Sequence, residues 1–237
     1  MSTIYDCSNE ADRTTAIRLA HSALGRGELV VIPTDTVYGV AADAFTPDAV
    51  QRLLDAKGRG RTSPPPVLVP GVATLAALVQ VVPDDVNALV KEFWPGGLTI
   101  VLPAAPSLAW DLGETHGTVA LRMPKDPVAL ELLSDVGPLA VSSANLTGQP
   151  AATTALGARE MLGDSVALYL DGGEAGSGYT MAPGQDSSST IIDATALASG
   201  TGPLRVLRHG VISVQRLREV VPDSLPDEGV AHASTDS

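Results

Sequence analysis

Short apolar runs alternate with amphipathic helical segments along nearly the whole chain, and this alternation limits the fold more than any other feature. Helical spacing, capping residues and first-turn prolines predict helices over 10–24, from 47 to about 57, around 75–78, and over 83–93, 127–133, 153–162 and 213–221. The runs between them predict buried strands: ELVVIPT, PVLVP, LTIVLPA, TVALRMP, PLAVSSAN, VALYLDGG, SSTIIDAT and LRVLRHG. Some connections are too short for parallel crossovers, so the pattern predicts an α/β fold with a mixed central sheet.

The length and composition fit one main domain. The chain has 237 residues, and no sharp shift in composition divides it. Hydrophobic residues make up 44% but aromatic residues only 3%, so the core must consist mainly of Val, Leu, Ile and Ala. We expect a folded body over residues 1–221 and a frayed, acidic, Ser-rich tail over 222–237.

The charge balance limits the partners. The chain carries 15 Lys and Arg against 27 Asp and Glu, a net charge of −12. This charge opposes broad attraction to nucleic acid or anionic lipid, so any anion site must be a local basic pocket. The single cysteine, Cys7, fits a reducing compartment, and the N-terminus lacks a signal pattern. No apolar run approaches the ~20 residues of a membrane span, so we expect a cytoplasmic protein.

The segment PTDTVYG (residues 33–39) follows a predicted buried strand and carries four polar side chains. Thr34, Asp35, Thr36 and Tyr38 emerge where the strand ends, a position from which polar groups reach a ligand. The same residues also fit a turn in which Asp35 and the threonines bond their own backbone. This segment alone leaves both interpretations open.

A basic cluster, KGRGR (residues 57–61), begins at the predicted end of the second helix. Lys57 and Arg59 stand two residues apart in a glycine-containing loop that we expect to be exposed, with Arg61 beside them. A guanidinium grips phosphate or carboxylate oxygens at two points, and an ammonium acts as a point charge. Solvated surface charge is the alternative for a pair of this kind.

Two further polar features interrupt apolar strands. The segment SSANLTG (residues 142–148) follows the run PLAV, and its hydroxyls and amide suit a ribose, a phosphate or an amino acid. An Asx-type turn closed by Gly148 is the alternative. Arg122 lies within TVALRMP, where an arginine needs either an anionic partner or an exposed edge.

Several common catalytic motifs are missing from the sequence. It contains no GxxxxGK[ST] phosphate loop, no GxGxxG after the first strand and no GxSxG. The histidines His21, His116, His209 and His232 lack metal-ligand spacing, and one cysteine cannot form CxxC. These observations argue against classical NTPase, dehydrogenase, zinc-site and serine-hydrolase functions.

The order of the motifs is more specific than any one of them. PTDTVYG, KGR, WPGGLTIVL, TVALRMP, SSANLTG, SSTIID and LRHG follow one another between about Ile17 and Val221, and together they resemble the YrdC/Sua5 family. The resemblance implies a YrdC-like twisted mixed β-sheet flanked by helices, with a concave, positively charged cleft. It also implies L-threonylcarbamoyladenylate synthase activity, in which ATP, L-threonine and bicarbonate give threonylcarbamoyl-AMP and pyrophosphate.

The resemblance also implies partners and a metal. Downstream tRNA threonylcarbamoyl-transferase proteins would use the product to modify adenosine 37 of tRNAs that read ANN codons, with no direct tRNA binding by this chain. Mg²⁺ would accompany ATP. Bicarbonate, carboxylate and triphosphate are all anions, and bringing them together needs fixed cations. Lys57, Arg59, Arg122 and Arg208 would supply them.

Matching the motifs assigns the site residue by residue. Lys57 and Arg59 match the KxR pair of the family, Ser143 and Asn145 match its SxN pair, and these four are the expected catalytic residues. No side-chain nucleophile or general base stands out, so positioning and charge stabilisation would supply most of the rate. The residues expected to bind ATP are Lys57, Arg59, Ser63, Thr118, Ser143, Asn145 and Arg208. The residues expected to bind L-threonine are Thr36, Tyr38, Arg122 and Ser189.

The sequence departs from the family pattern at two positions. Pro70 falls where the family has a histidine, so Thr62 or Ser63 would have to supply that contact. Gly97 stands where proline is common. The chain ends soon after the helix at 213–221, as in the short form without the extra C-terminal domain. The Gly-rich stretch 172–184 fits either a lid or a surface loop.

Two other functions are compatible with such a resemblance. A family member could bind double-stranded RNA or assist ribosome maturation without making the adenylate, although a net charge of −12 argues against it. Carbamoyl transfer from carbamoyl phosphate, as in larger proteins with a similar module, would call for accessory domains that are not recognisable here.

Overall fold

The computed structural model describes residues 2–180 and 187–225. That part of the chain contains one ten-stranded sheet. The strands are β1 (Thr3–Asp6), β2 (Val30–Ile32), β3 (Gly39–Asp43), β4 (Val67–Leu68), β5 (Leu98–Pro103), β6 (Thr118–Arg122), β7 (Leu139–Ser143), β8 (Leu168–Asp171), β9 (Thr190–Asp193) and β10 (Arg205–Arg208). The helices are α1 (Glu10–Gly25), α2 (Pro47–Lys57), α3 (Val72–Leu78), α4 (Asp84–Phe93), α5 (Pro127–Val136), α6 (Ala155–Leu162), α7 (Thr195–Ala198) and α8 (Val214–Val220), with a 3-10 turn at Gly163–Ser165.

The sheet is mixed, which confirms the predicted α/β class. Its strand order is β1-β8-β2-β3-β7-β4-β6-β5-β9-β10. β8 runs parallel to both β1 and β2, and the pairs β4–β6 and β5–β9 are parallel. The pairs β2–β3, β3–β7, β4–β7, β5–β6 and β9–β10 are antiparallel. Short connections such as that between β2 and β3 therefore join antiparallel neighbours, as expected.

Three apolar clusters hold the helices to the sheet. Small aliphatic residues dominate them, as the low aromatic content requires. Helices α1 and α5 cover one face of β2, β3, β7 and β8, while α2 and α6 cover the opposite face of β2, β3 and β8. Helices α3, α4 and α8 cover one face of β5, β6 and β9. None of the described helices is long and apolar enough to span a bilayer.

Two strands, β1 and β3, were not predicted from the sequence. β3 has the sequence GVAAD, which has little intrinsic β propensity, and pairing with both β2 and β7 stabilises it. β1 is a short strand at the edge of the sheet, paired only with β8 among the described strands. Both depend on neighbours that are distant in sequence, so local patterning could not identify them.

The C-terminal boundary extends beyond the expected one. Leu225, which the sequence assigned to the tail, is 5% exposed and belongs to the largest core cluster. Leu204 donates a backbone hydrogen bond of 2.8 Å to the Ser224 carbonyl. The packed body therefore reaches at least Leu225. The remainder of the expected tail, 226–237, and residues 181–184 of the expected lid lie outside the described residues.

Candidate functional site

A cavity opens on the face of the sheet opposite the largest core. Along β6, Leu121 points into that core, so its neighbour Arg122 points to the other face. On the same face Ile191 pairs with both Thr99 and Arg208. Of the site residues predicted from sequence, those that line the cavity are Thr36, Tyr38, Arg59, Arg122, Ser143, Ser189 and Arg208.

Arg122 is held in the cavity wall by three hydrogen bonds. Its Nε donates to the Gly96 carbonyl at 2.9 Å, and its Nη1 donates to Thr36 Oγ1 at 2.9 Å. Its Nη2 donates to Asp35 Oδ1 at 2.7 Å, and the side chains of this ion pair are 7% and 10% exposed. The arginine thus has an anionic partner and also lines the cavity. The sequence left open whether Arg122 has such a partner or lies at an exposed edge, and the structure shows the former.

The PTDT segment forms the predicted turn, and its threonines Thr34 and Thr36 also line the cavity, whereas ligand binding by the segment stays a prediction. Thr34 Oγ1 donates to the Val37 carbonyl at 2.6 Å and accepts from the Thr36 amide at 3.2 Å. This turn directs Asp35 and Thr36 toward Arg122. Burial raises the pKa of Asp35, but the Arg122 charge and hydrogen bonds from the Lys125 amide and the Tyr179 hydroxyl outweigh it and hold the pKa below its usual value. The carboxylate is therefore ionised.

Tyr38 lies in the cavity wall, and its hydroxyl is hydrogen-bonded to the chain just after β8. The side chain is fully buried, and its hydroxyl donates to the Gly173 carbonyl at 2.6 Å and lies 3.2 Å from Asp171 Oδ1. Burial raises the pKa of the hydroxyl far above its usual value. Tyr38 therefore stays neutral and ties the start of β3 to the end of β8.

Lys57 is buried, so the expectation that it lies in an exposed loop was wrong. It is the last residue of α2 and is 0% exposed. Its Nζ donates to the Ser143 carbonyl and to Asn145 Oδ1, the latter at 2.8 Å, and lies 3.3 Å from Ser143 Oγ. The α-helix ends over the loop after β7, which explains the burial. Burial and the Arg59 charge lower the pKa of Lys57 to about 7.

Arg59 reaches the cavity because the chain turns sharply after Lys57. Gly58 adopts the left-handed conformation (φ 62°) that ends the helix. The Arg59 guanidinium then lies 3.3 Å from Ser142 Oγ and 3.4 Å from Thr147 Oγ1, both long hydrogen bonds. Within the described residues, no carboxylate forms an ion pair with Arg59. Its charge is therefore available to an anion in the cavity.

A third arginine closes the other side of the cavity. Arg208 donates from Nε to the Ser189 carbonyl and from Nη2 to Ser189 Oγ, both at 2.9 Å. Ser189 Oγ also lies 2.7 Å from Thr99 Oγ1, and Thr99 is 1% exposed. Thr99 was missed from the sequence, although a threonine within the apolar strand LTIVL is a detectable signal. Ser142 was also missed as a contact of Arg59, because only its neighbour matched the SxN motif.

Four predicted site residues do not line the cavity. Lys57 and Asn145 lie behind its wall, joined to each other, and the Asn145 amide also donates to the carbonyls of Leu146 and Gln149. Ser63 is exposed in the proline-rich loop. Thr118 begins β6 on the same face as Arg122, roughly 13 Å away along the strand. Pro70, at the position of the family histidine, is also absent from the lining.

The cavity combines fixed cations with hydroxyl groups. Arg59, Arg122 and Arg208 point toward it, and among its described lining residues there is no carboxylate. Nor does the described part of the chain bring together three or more His, Cys, Asp or Glu that could hold a metal ion. The arrangement therefore suits the binding of several anionic groups next to one another, with hydrogen bonds from serine and threonine hydroxyls.

Comparisons with known proteins agree on one family. The sequence model of the family Sua5/YciO/YrdC, described as telomere recombination, matches residues 22–210. A protein of Mycobacterium leprae, provisionally named a threonylcarbamoyl-AMP synthase, is 50% identical over 228 residues, which cover 95% of this chain and 98% of that protein. The threonylcarbamoyl-AMP synthase of Bacillus subtilis is 35% identical over 218 residues, 91% of this chain and 59% of the relative.

A solved structure has the same fold. The crystal structure of Sua5 from Pyrococcus abyssi complexed with L-threonine superimposes with a TM-score of 0.81 at 32% identity. The match covers 93% of this chain and 61% of the other. This chain thus spans nearly all of the mycobacterial relative and about three fifths of the Bacillus and Pyrococcus proteins.

Proposed function

This chain belongs to the Sua5/YciO/YrdC family, and we propose that it is an L-threonylcarbamoyladenylate synthase. It makes threonylcarbamoyl-AMP and pyrophosphate from L-threonine, bicarbonate and ATP. The observation that carries the proposal is the convergence of Arg59, Arg122 and Arg208 on one cavity. A protein with a net charge of −12 places three guanidinium groups around one cavity, and each of the three reactants carries an anionic group.

The reaction follows from holding these anions together. The amine of threonine, once deprotonated, attacks the carbon of bicarbonate, and loss of water leaves a carbamate. A carbamate oxygen then attacks the α-phosphorus of ATP, a new P–O bond forms, and the bond to pyrophosphate breaks. Fixed positive charge offsets the repulsion between carbamate and triphosphate, so the protein accelerates the reaction mainly by positioning and electrostatics.

Different arginines bind the two larger substrates, L-threonine and ATP. Arg122 binds the threonine carboxylate beside Thr36, with Tyr38 and Ser189 completing that wall. Arg59 and Arg208 bind the nucleotide phosphates with Ser143, and the nucleotide extends along the sheet face toward Thr118 and Ser63. Mg²⁺ enters as the counterion of ATP.

Lys57 and Asn145 act from behind the cavity wall. Their hydrogen bond of 2.8 Å fixes the start of the loop after β7. It thereby also positions Ser143, the last residue of β7, for contact with the nucleotide. The KxR and SxN motifs therefore form one unit in which Arg59 and Ser143 touch the substrates and Lys57 and Asn145 position them. This division explains why only half of the expected catalytic set lines the cavity.

The product is an activated acyl-phosphate-like adenylate that needs an acceptor. We place this chain in the cytoplasm, where tRNA threonylcarbamoyl-transferase proteins use the product to modify adenosine 37 of tRNAs reading ANN codons. Recognition of tRNA then belongs to those proteins, in keeping with the acidic charge of this chain.

The direct test incubates the purified protein with ATP, Mg²⁺, bicarbonate and L-threonine and measures pyrophosphate. We expect release that depends on both threonine and bicarbonate, together with a product that has the mass of threonylcarbamoyl-AMP. Omission of threonine, or its replacement by L-valine, is the matched control. Pyrophosphate release that is the same with and without threonine would rule out the synthase.

A further inference from the structure

A tyrosine outside the predicted site is connected to the arginine expected to bind threonine. The hydroxyl of Tyr179 donates to Asp35 Oδ2 at 2.8 Å. The other carboxylate oxygen, Asp35 Oδ1, accepts from Arg122 Nη2 and from the Lys125 amide, both at 2.7 Å. Asp35 is thus the link between Tyr179 and Arg122, and both of its oxygens are engaged.

Arg122 keeps the capacity to bind a substrate while paired with Asp35. A guanidinium has five N–H donors, and Arg122 uses three of them, on Gly96, Thr36 and Asp35. Two donors remain for a carboxylate in the cavity, which suits a two-point contact. The strength of that contact depends on how much of the arginine charge Asp35 neutralises.

Other hydrogen-bond donors to the Asp35 carboxylate weaken its attraction for Arg122. The Tyr179 hydroxyl and the Lys125 amide both donate to the carboxylate, which spreads its negative charge over three partners. Without the hydroxyl, Asp35 Oδ2 would lose its donor in a site where the side chain is only 10% exposed. The carboxylate would then attract Arg122 more strongly, since among the described residues Arg122 is the cation that pairs with it.

The backbone at Gly97 is shaped for this tyrosine. A Cβ at position 97 would lie 3.0 Å from the Tyr179 hydroxyl oxygen and 2.2 Å from Val211 Cγ2. Proline, the residue expected here from the family pattern, carries a Cβ that would make the same close contacts. Glycine at this position therefore leaves room for the Tyr179 hydroxyl.

We propose that Tyr179 is a positioning residue for the amino-acid substrate, acting through Asp35 on the charge and orientation of Arg122. The inference rests on the proposed function, because it assumes that Arg122 binds the threonine carboxylate. It adds Asp35, Tyr179 and Gly97 to the determinants of threonine affinity, none of which lies in the KxR or SxN motif. The effect should be confined to the amino acid, because neither Asp35 nor Tyr179 contacts Arg59 or Arg208 in the described structure.

The test is Tyr179→Phe, which removes the hydroxyl and keeps the ring. We expect the KM for threonine to rise roughly tenfold, the size of one lost hydrogen bond to a charged group, with the KM for ATP and kcat nearly unchanged. Tyr169→Phe is the matched control, because Tyr169 is a buried tyrosine whose hydroxyl donates to the Gly163 carbonyl at 2.7 Å, away from the cavity. Its kinetic constants should equal those of the wild type.

The link through Asp35 is tested in a second background. If Tyr179 acts through Asp35, then adding Tyr179→Phe to Asp35→Asn should change the threonine KM by less than twofold, since coupled residues are not additive. Binding of threonine alone, measured by calorimetry, should repeat the loss seen with Tyr179→Phe. A Tyr179→Phe protein with the wild-type threonine KM, or with equal losses for ATP and threonine, would overturn the inference. Failure of the wild type to make the adenylate would instead refute the proposed function.

Discussion

The Lys57 ammonium donates a 2.8 Å hydrogen bond to the Asn145 side chain, joining two motifs that are 88 positions apart in the sequence. The Thr147 hydroxyl reinforces this link by donating to the Lys57 carbonyl at 2.7 Å. These two hydrogen bonds therefore tie the end of α2 to the loop after β7. In consequence the geometry of Arg59 and Ser143 depends on a lysine that does not itself line the cavity.

The two members of the KxR motif should respond differently to truncation. Lys57→Ala should lower the free energy of unfolding by about 2–4 kcal/mol, because it leaves Asn145 Oδ1 without its donor and removes a long side chain from a buried site. Arg59→Ala should change it by less than about 1 kcal/mol yet lower turnover roughly 100-fold or more. Denaturant unfolding and pyrophosphate release measure the two effects. Equal losses of stability in both variants would contradict this division.

Stability should depend on pH through Lys57. Burial and the Arg59 charge lower its pKa to about 7 in the folded state, whereas an unfolded lysine titrates near ~10.4. Between these values the unfolded chain holds a proton that the folded chain lacks, so the free energy of unfolding rises with pH, by at most about 1.4 kcal/mol per unit. Unfolding at pH 7, 8 and 9 should show this rise relative to Lys57→Met. Parallel curves for the two proteins would mean that Lys57 keeps an ordinary pKa.

Gly97 should not tolerate a side chain. In Gly97→Ala the new Cβ would lie 2.2 Å from Val211 Cγ2, and relief of this contact should cost about 1–3 kcal/mol of stability. Val211→Ala removes the clashing atom, so the double variant should recover part of the loss when compared with Val211→Ala alone. Thermal unfolding of the wild type, the two single variants and the double variant provides the double-mutant cycle. Full additivity of the two substitutions would show that the contact is not the cause.

Arg208 should contribute to nucleotide rather than amino-acid affinity. Arg208→Gln keeps a donor near Ser189 but removes the charge, so the KM for ATP should rise roughly tenfold or more while that for threonine changes little. Initial rates with each substrate varied in turn measure this. Arg205→Gln is the control, since Arg205 is on the same strand but pairs with Asp193 and is exposed. A larger effect on threonine than on ATP would reassign Arg208.

Binding to double-stranded RNA should be negligible near 150 mM salt. A net charge of −12 opposes association with a polyanionic duplex and the release of its counterions. Fluorescence anisotropy with a labelled duplex, from 50 to 300 mM salt, measures affinity and its salt dependence. Micromolar binding with a steep salt dependence would favour the RNA-binding alternative over catalysis.

The family resemblance, based on the order of seven motifs, is confirmed by the comparisons. Most elements were also predictable, because helices such as α5 carry local signals: Asp126 caps the first turn and Pro127 begins it. β3 was not predictable from its small residues, because its stability comes from β2 and β7. Sequence patterns therefore predict elements that have their own capping residues and periodicity. They miss strands that are stabilised only by pairing with strands distant in sequence.

By itself the sequence determined the α/β class, the family and the segments that supply the chemistry, since these follow from periodicity, capping and motif order. Only the tertiary structure decided which way each polar side chain faces. It turned Lys57 inward and Arg59 into the cavity, and it brought Tyr179 to Asp35, 144 positions away. Burial, ion pairing and hydrogen-bond geometry are properties of surfaces that meet in space, and no local pattern in the chain records which surfaces those will be.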